Sequence, residues 1–148
     1  MTESAPRGTH IYRTPTGAEA IRSWCEERLA AWPELEHLPV VETSLGPTRA
    51  FRSPGGEGMP VVMLPGLNLN TATNIEVLRV LAADRPVISA DPPGQPGLSG
   101  DVRPKGDRMA AYGAWFDELL PKITDGPVLV LGHSLGAAML LDSTPSDR

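Results

Sequence analysis

Leu129-Val130-Leu131-Gly132-His133-Ser134-Leu135-Gly136-Ala137-Ala138 is an apolar run that breaks into Gly-His-Ser-Leu-Gly and at once becomes alanine-rich. This order of residues predicts a buried strand feeding a tight turn that opens a helix. Gly-x-Ser-x-Gly at such a junction is the sequence form of a nucleophile elbow, where a serine hydroxyl stands on a strained turn and glycines leave room for it. The same serine has a plainer use as the cap of the following helix. The pattern is short and matches by chance are common, so its weight comes from its surroundings.

Upstream, Val61-Val62-Met63-Leu64 is continuously apolar and Val87 to Ala90 is a second short run, as expected of strands buried on both faces. Thr71 to Ala83 supports a helix with Ile75, Leu78 and Ala82 on one side, and Asp107 to Ile123 carries the stripe Tyr112, Trp115, Phe116, Leu119, Leu120, Ile123. Gly126-Pro127 separates that helix from Val128 to Leu131. Strand alternating with helix implies right-handed parallel crossovers and an α/β fold, a mostly parallel sheet flanked by helices. Functional groups on such sheets gather beyond the carboxyl ends of the strands. Those ends carry Pro65-Gly66-Leu67, Asp91-Pro92-Pro93-Gly94 and Gly132-His133-Ser134.

Towards the N-terminus, Val40 to Leu45 and Thr48 to Phe51 are β-favouring runs joined across Gly46-Pro47, which predicts an antiparallel hairpin. Residues 17–32 form an accessory helix in this reading, with Ile21, Trp24, Cys25, Leu29 and Trp32 at helical spacing and Pro33 as its stop. Cys25 lies on the apolar face, where packing is its expected role. Residues 1–15 read as a loose leader, and residues 16–148 as one partial domain.

The formal charge is −5, and the 13 basic residues, only Lys105 and Lys122 of them lysines, form no basic stripe. That excludes a nucleic-acid footprint, which needs a clustered cationic face. No run approaches a membrane span and the first residues lack the apolar core of a signal peptide, so a cytoplasmic location with no membrane partner is expected. One cysteine excludes an internal disulfide, and His10, His37 and His133 lack metal-ligand spacing. No cofactor is implied, because the glycine-rich loops match no phosphate cradle.

Three places in the right order resemble the α/β-hydrolase superfamily. Leu64-Pro65-Gly66-Leu67-Asn68 looks like the family's oxyanion loop after its third strand, with Pro65 where histidine is usual. Asp91-Pro92-Pro93-Gly94-Gln95-Pro96-Gly97-Leu98-Ser99 is similar to its Asp-x-Pro-Gly-x-Gly-x-Ser loop after the fourth strand, and Gly132-His133-Ser134-Leu135-Gly136 to its turn after the fifth. The resemblance covers about Val40 to Leu141. It implies the first hairpin and three parallel strands of the hydrolase fold, with Ser134 as nucleophile and the backbone N–H groups of Leu67 and Leu135 as oxyanion hole. A serine at this place weighs against the superfamily's haloalkane dehalogenases and epoxide hydrolases, which use aspartate. Asp91 reads as a loop-shaping carboxylate rather than a catalytic acid, and Asn68 and Asn70 are either loop residues or pocket lining.

The resemblance also implies an acid and a histidine after the serine, in that chain order. Asp142 and Asp147 follow Ser134, but no histidine does. His133 is its immediate neighbour and leaves the turn in another direction, while His10 and His37 precede the core. The family's later strands, lid and acid- and histidine-bearing loops are therefore expected to be absent, leaving an N-terminal part of the fold with Val128 to Leu131 as an open edge. Two functions follow from this reading. One is a serine hydrolase acting on a small-molecule ester, lactone or related acyl substrate; the other is an inactive fragment or interaction module needing a partner half. The expected macromolecular partner is a complementary C-terminal half or a second copy pairing through that edge, and the isolated chain is expected to be unstable or to aggregate.

Overall fold

The computed structural model describes residues 8–144. In chain order its elements are β1 (Thr9–His10), α1 (Pro15–Ala30), β2 (Glu36–His37), β3 (Val41–Thr43), β4 (Gly46–Thr48) and β5 (Ala50–Arg52). There follow β6 (Val61–Leu64), a short 3-10 turn (Ala72–Asn74) running into α2 (Ile75–Ala82), β7 (Val87–Ala90), β8 (Val102–Arg103), α3 (Arg108–Ile123), β9 (Leu129–Gly132) and α4 (Leu135–Leu141).

Every residue of β6 and β7 is buried, as their apolar runs require. The main sheet has the order β2-β5-β7-β6-β9. Strands β7, β6 and β9 are parallel, while β5 runs antiparallel to β7 and β2 antiparallel to β5. Side chains alternate across a strand, so β6 feeds two cores. Val61 and Met63 pack with Cys25, Leu29, Ile75 and Leu78 of the α1 and α2 layer. Val62 and Leu64 pack with Trp115, Leu119 and Met139 of the α3 and α4 layer. Each such side chain contributes roughly 1.5–3 kcal/mol when fully buried, and β6 has partners on both faces and both edges.

Local sequence explains the helices. Thr14 caps α1, its Oγ1 accepting from the Gly17 N–H at 3.0 Å, and Pro15 enters at the first position. Asp107 caps α3 through the Ala110 N–H at 3.1 Å. The α3 stripe is buried as expected, apart from the partly buried Leu120. In α1 only the C-terminal part of the stripe packs: Cys25, Leu29 and Trp32 are buried, whereas Ile21 and Trp24 remain 37% and 45% exposed. The buried three meet Ala72, Ile75 and Leu78. That burial pushes the Cys25 thiol up to about 11, which keeps it protonated and suits packing rather than chemistry.

The hairpin forms, with a different turn. Its two-residue connection is Ser44-Leu45, while Gly46 and Pro47 lie within β4. Gly46, at φ 108, takes the left-handed position after the turn, and the Ser44 N–H is held by Glu118 Oε2 at 3.0 Å. Pro47 is tolerated because β3 and β4 form a separate two-stranded ladder with open edges. The second expected strand divides at Arg49, whose N–H turns aside to Ser99 Oγ at 2.9 Å, so that Ala50–Arg52 joins the main sheet instead.

Of the expected leader, residues 1–7 lie outside the described residues. Within its remainder, Thr9–His10 pairs antiparallel with Val102–Arg103, and the Ile11 N–H reaches Asp101 O at 3.0 Å. Two-residue pairings leave no periodicity to read. At the other side of the sheet β9 is an edge strand, with Leu129, Val130 and Leu131 exposed by 45%, 49% and 40%, so the strand before the serine is not buried as its apolar run predicts, because it has a neighbour on one side only. Among the described residues no helix is long and apolar enough to cross a membrane.

One polar contact inside the α3 core offers a test of this packing. Trp115 is fully buried, and its Nε1–H donates to Thr48 Oγ1 at 3.0 Å. Thr48→Val conserves shape but leaves that donor unpaired, which costs roughly 1–3 kcal/mol. In urea unfolding the midpoint should fall accordingly, with the slope unchanged.

Candidate active site

The turn between β9 and α4 places Ser134 at φ 51, ψ −110, one of two non-glycine residues with positive φ among those described. Such a conformation costs about 1–3 kcal/mol and persists only where neighbours impose it. Here they do. The His133 N–H is held by Leu64 O at 3.1 Å and the Gly136 N–H by His133 O at 2.9 Å. A Cβ on Gly132 would stand 2.5 Å from Ala137 Cα, and one on Gly136 would run into Leu64 O and stand 2.8 Å from Pro65 O. The two glycines let the helix start lie directly on the ends of β9 and β6. Ser134 does not cap the helix: its side chain makes no capping hydrogen bond, and it is exposed.

Beside it runs the loop after β6. Pro65 and Gly66 are buried and Leu67 is 58% exposed. The Leu69 N–H closes a turn onto Gly66 O at 3.0 Å, with Asn68 in the left-handed region at φ 60. Among the described residues the N–H groups of Leu67 and Leu135 have no acceptor. The structure thus brings the Leu67 loop against the turn that carries Ser134 and Leu135.

The histidines are placed elsewhere. The His133 ring lies over Gly66, where an added Cβ would be 2.8 Å from its Nδ1. His10 Nδ1 is 3.2 Å from Asp101 Oδ1. His37 sits edge-on to Phe51 and 3.3 Å from Arg49 Nη2 on the far edge strand. Among the described residues none hydrogen-bonds to Ser134, and no three acidic, histidine or cysteine side chains are grouped to hold a metal ion.

Asp91 is buried and ties the loops together. Its Oδ1 accepts from the Thr71 N–H at 2.8 Å and the Thr71 hydroxyl at 2.7 Å, and its Oδ2 from the Leu98 N–H at 3.1 Å. Burial pushes its carboxyl above the usual range, against the pull of Thr71, Leu98 and the Arg49 charge. Asn70 is equally internal: its Nδ2 donates to Pro96 O at 3.1 Å and its Oδ1 accepts from the Thr73 N–H at 3.0 Å. Gln95 joins this network through the Asn68 N–H. No sequence signal points to it, because a glutamine in a turn-rich loop is ordinary.

A sheet with parallel β7, β6 and β9, helices on both faces, and a strained serine between strand and helix beside a glycine loop is the arrangement of an α/β hydrolase. The model of the Alpha/beta hydrolase family matches residues 61–147, and the chain belongs to that family. No match was found among curated proteins. Among solved structures it is similar to the naproxen esterase of Bacillus subtilis, at 18% identity and a TM-score of 0.72 over 88% of this chain and 46% of that one. The carboxylesterase CesB of Bacillus subtilis gives 16% and 0.68 over 84% and 44%. The N-acyl homoserine lactonase AidH, complexed with N-butanoyl homoserine, gives 28% and 0.62 over 72% and 39%. The chain spans less than half the length of each.

Glycine to alanine inside a helix normally stabilises by up to about 1 kcal/mol. At Gly136 the sign should reverse, because the added methyl meets the Leu64 and Pro65 carbonyls. Gly136→Ala should lower stability by about 1–3 kcal/mol, the usual range for overpacking, read as a lower urea midpoint.

Proposed function

We propose that the protein acts as a serine hydrolase on a small ester, lactone or related acyl compound, with Ser134 as nucleophile. The observation that carries this reading is the backbone of Ser134: a non-glycine residue held at φ 51 on a strand-to-helix turn, with no capping bond to account for it. That is the geometry of a nucleophile elbow. The Leu67 and Leu135 N–H groups, which have no acceptor among the described residues, serve as the oxyanion hole, and the positive end of α4 favours the same charge. The likeness to a lactonase and to two esterases supports an acyl substrate.

In this mechanism Ser134 Oγ attacks the carbonyl carbon as a base takes its proton. The oxyanion forms between the two N–H groups and collapses with loss of the alcohol, and water then releases the acid from the acyl-enzyme. The base and its acid partner are supplied, on this reading, by a segment that complements this chain, since none of its three histidines bonds to Ser134. In cells that make the protein, a fluorophosphonate probe should label it, and Ser134→Ala should abolish the label. An unlabelled wild-type protein overturns the mechanism.

The exposed apolar edge β9 favours a second reading, an inactive module whose role is to receive a complementary segment at that edge. It predicts no label in any context, together with binding that Val130→Lys weakens about tenfold or more, measured by titrating the separately expressed segment onto the chain.

A further inference from the structure

For the Leu67 N–H to serve Ser134 it has to point one way, and the turn that carries it is exposed. Within that turn the only bond is from the Leu69 N–H to Gly66 O. The peptide following Leu67 is held from outside. Its N–H, that of Asn68, donates to Gln95 Oε1 at 3.0 Å. Gln95 is only 4% exposed although its loop is turn-rich. Its orientation is set by chemistry: the Asn68 N–H requires the amide oxygen, which leaves the NH2 facing the Tyr112 hydroxyl at 3.5 Å. Tyr112, buried on α3, donates in turn to Pro93 O at 2.7 Å. The remaining ties between the two loops, Asn70 to Pro96 and Thr71 to Asp91, lie beyond the turn.

We propose that Gln95 is a positioning residue for the Leu67 donor, a side-chain clamp that fixes the Leu67–Asn68 peptide and anchors it through Tyr112 to α3. The inference rests on the serine-hydrolase reading for its catalytic consequence, though not for the clamp itself. Asn68 sits at φ 60, a conformation asparagine adopts more readily than most residues but does not need in a free chain. The Leu67 N–H lies on the preceding peptide, whose carbonyl, Gly66 O, is tied only within the turn by the Leu69 N–H. Without the Gln95 oxygen the turn as a whole loses its tie to the neighbouring loop and can shift, carrying the Leu67 N–H with it.

The test compares Gln95→Met, which keeps the length and loses the acceptor, with Gln95→Glu, which keeps an acceptor oxygen in either protonation state. Gln95→Met should slow fluorophosphonate labelling of Ser134 about tenfold, less than the 10²–10³ lost when an oxyanion donor is removed outright. On a p-nitrophenyl ester kcat should fall with KM unchanged, and Gln95→Glu should restore most of it. Amide hydrogen exchange at Asn68 should quicken in Gln95→Met and stay slow in Gln95→Glu. Tyr112→Phe, a milder change that leaves the Gln95 oxygen in place but removes the hydroxyl facing its NH2, should quicken that exchange in part.

Equal labelling of wild type and Gln95→Met overturns the positioning role. Unchanged Asn68 exchange in Gln95→Met overturns the clamp whether or not the protein labels. If Ser134→Ala keeps its label, the serine reading fails, and the exchange measurement still decides the clamp. If Gln95→Met does not fold, Asn68 exchange in Tyr112→Phe decides it.

Discussion

The close approach of the Gly132–Gly136 turn to the end of β6 is the constraint on which the arrangement at this site depends. Without Cβ atoms, Gly132 lets the first turn of α4 lie on the end of β9 and Gly136 lets it rest on the Leu64 and Pro65 carbonyls. That contact needs β6 and β9 as parallel neighbours in register, Leu64 opposite Gly132, so that both strands end at the same level. It puts Ser134 in a conformation the residue would not otherwise hold. It also sets the Leu67 loop, the continuation of β6, against the same turn. Sheet order, glycine placement and the strained serine are one geometric fact seen at three scales.

The second layer of organisation is polar and lies between the loops after β6 and β7. Asp91, Asn70 and Gln95 all use their side chains to satisfy backbone groups of the neighbouring loop or their own. Loops of this composition are usually mobile, and these are held because their buried N–H groups have been given acceptors. A buried carboxylate without such donors would be costly; with three, Asp91 is a fastening. Among the described residues every hydrogen bond that the Asp91 carboxylate accepts comes from Thr71 or Leu98, in the two loops it joins. These ties are those of a loop-shaping carboxylate.

Elements whose sequences repeat a period were legible. The runs in β6 and β7, the stripe on α3 and the glycine-flanked serine each state their environment locally, because burial on one or both faces leaves a pattern within a few residues. The pairings β1 with β8 and β2 with β5 involve two residues each and leave none. The turn at Ser44-Leu45 was hidden by the stronger turn signal of Gly46-Pro47, which the hairpin uses inside a strand because its ladder has open edges. In α1 the apolar spacing is helical throughout, yet where the packing stops along it depends on the position of Ala72 and Ile75.

By itself the sequence determined the α/β alternation, the three strand ends where chemistry gathers, and a serine between glycines at one of them, since each is written in contiguous residues. Tertiary structure alone decided what those residues do to one another. It left Ser134 uncapped and strained, turned His133 onto Gly66, and joined Gln95 to a peptide twenty-seven positions earlier in the chain. Hydrogen bonds between loops far apart in sequence depend on sheet order and register, and neither is encoded in any short stretch.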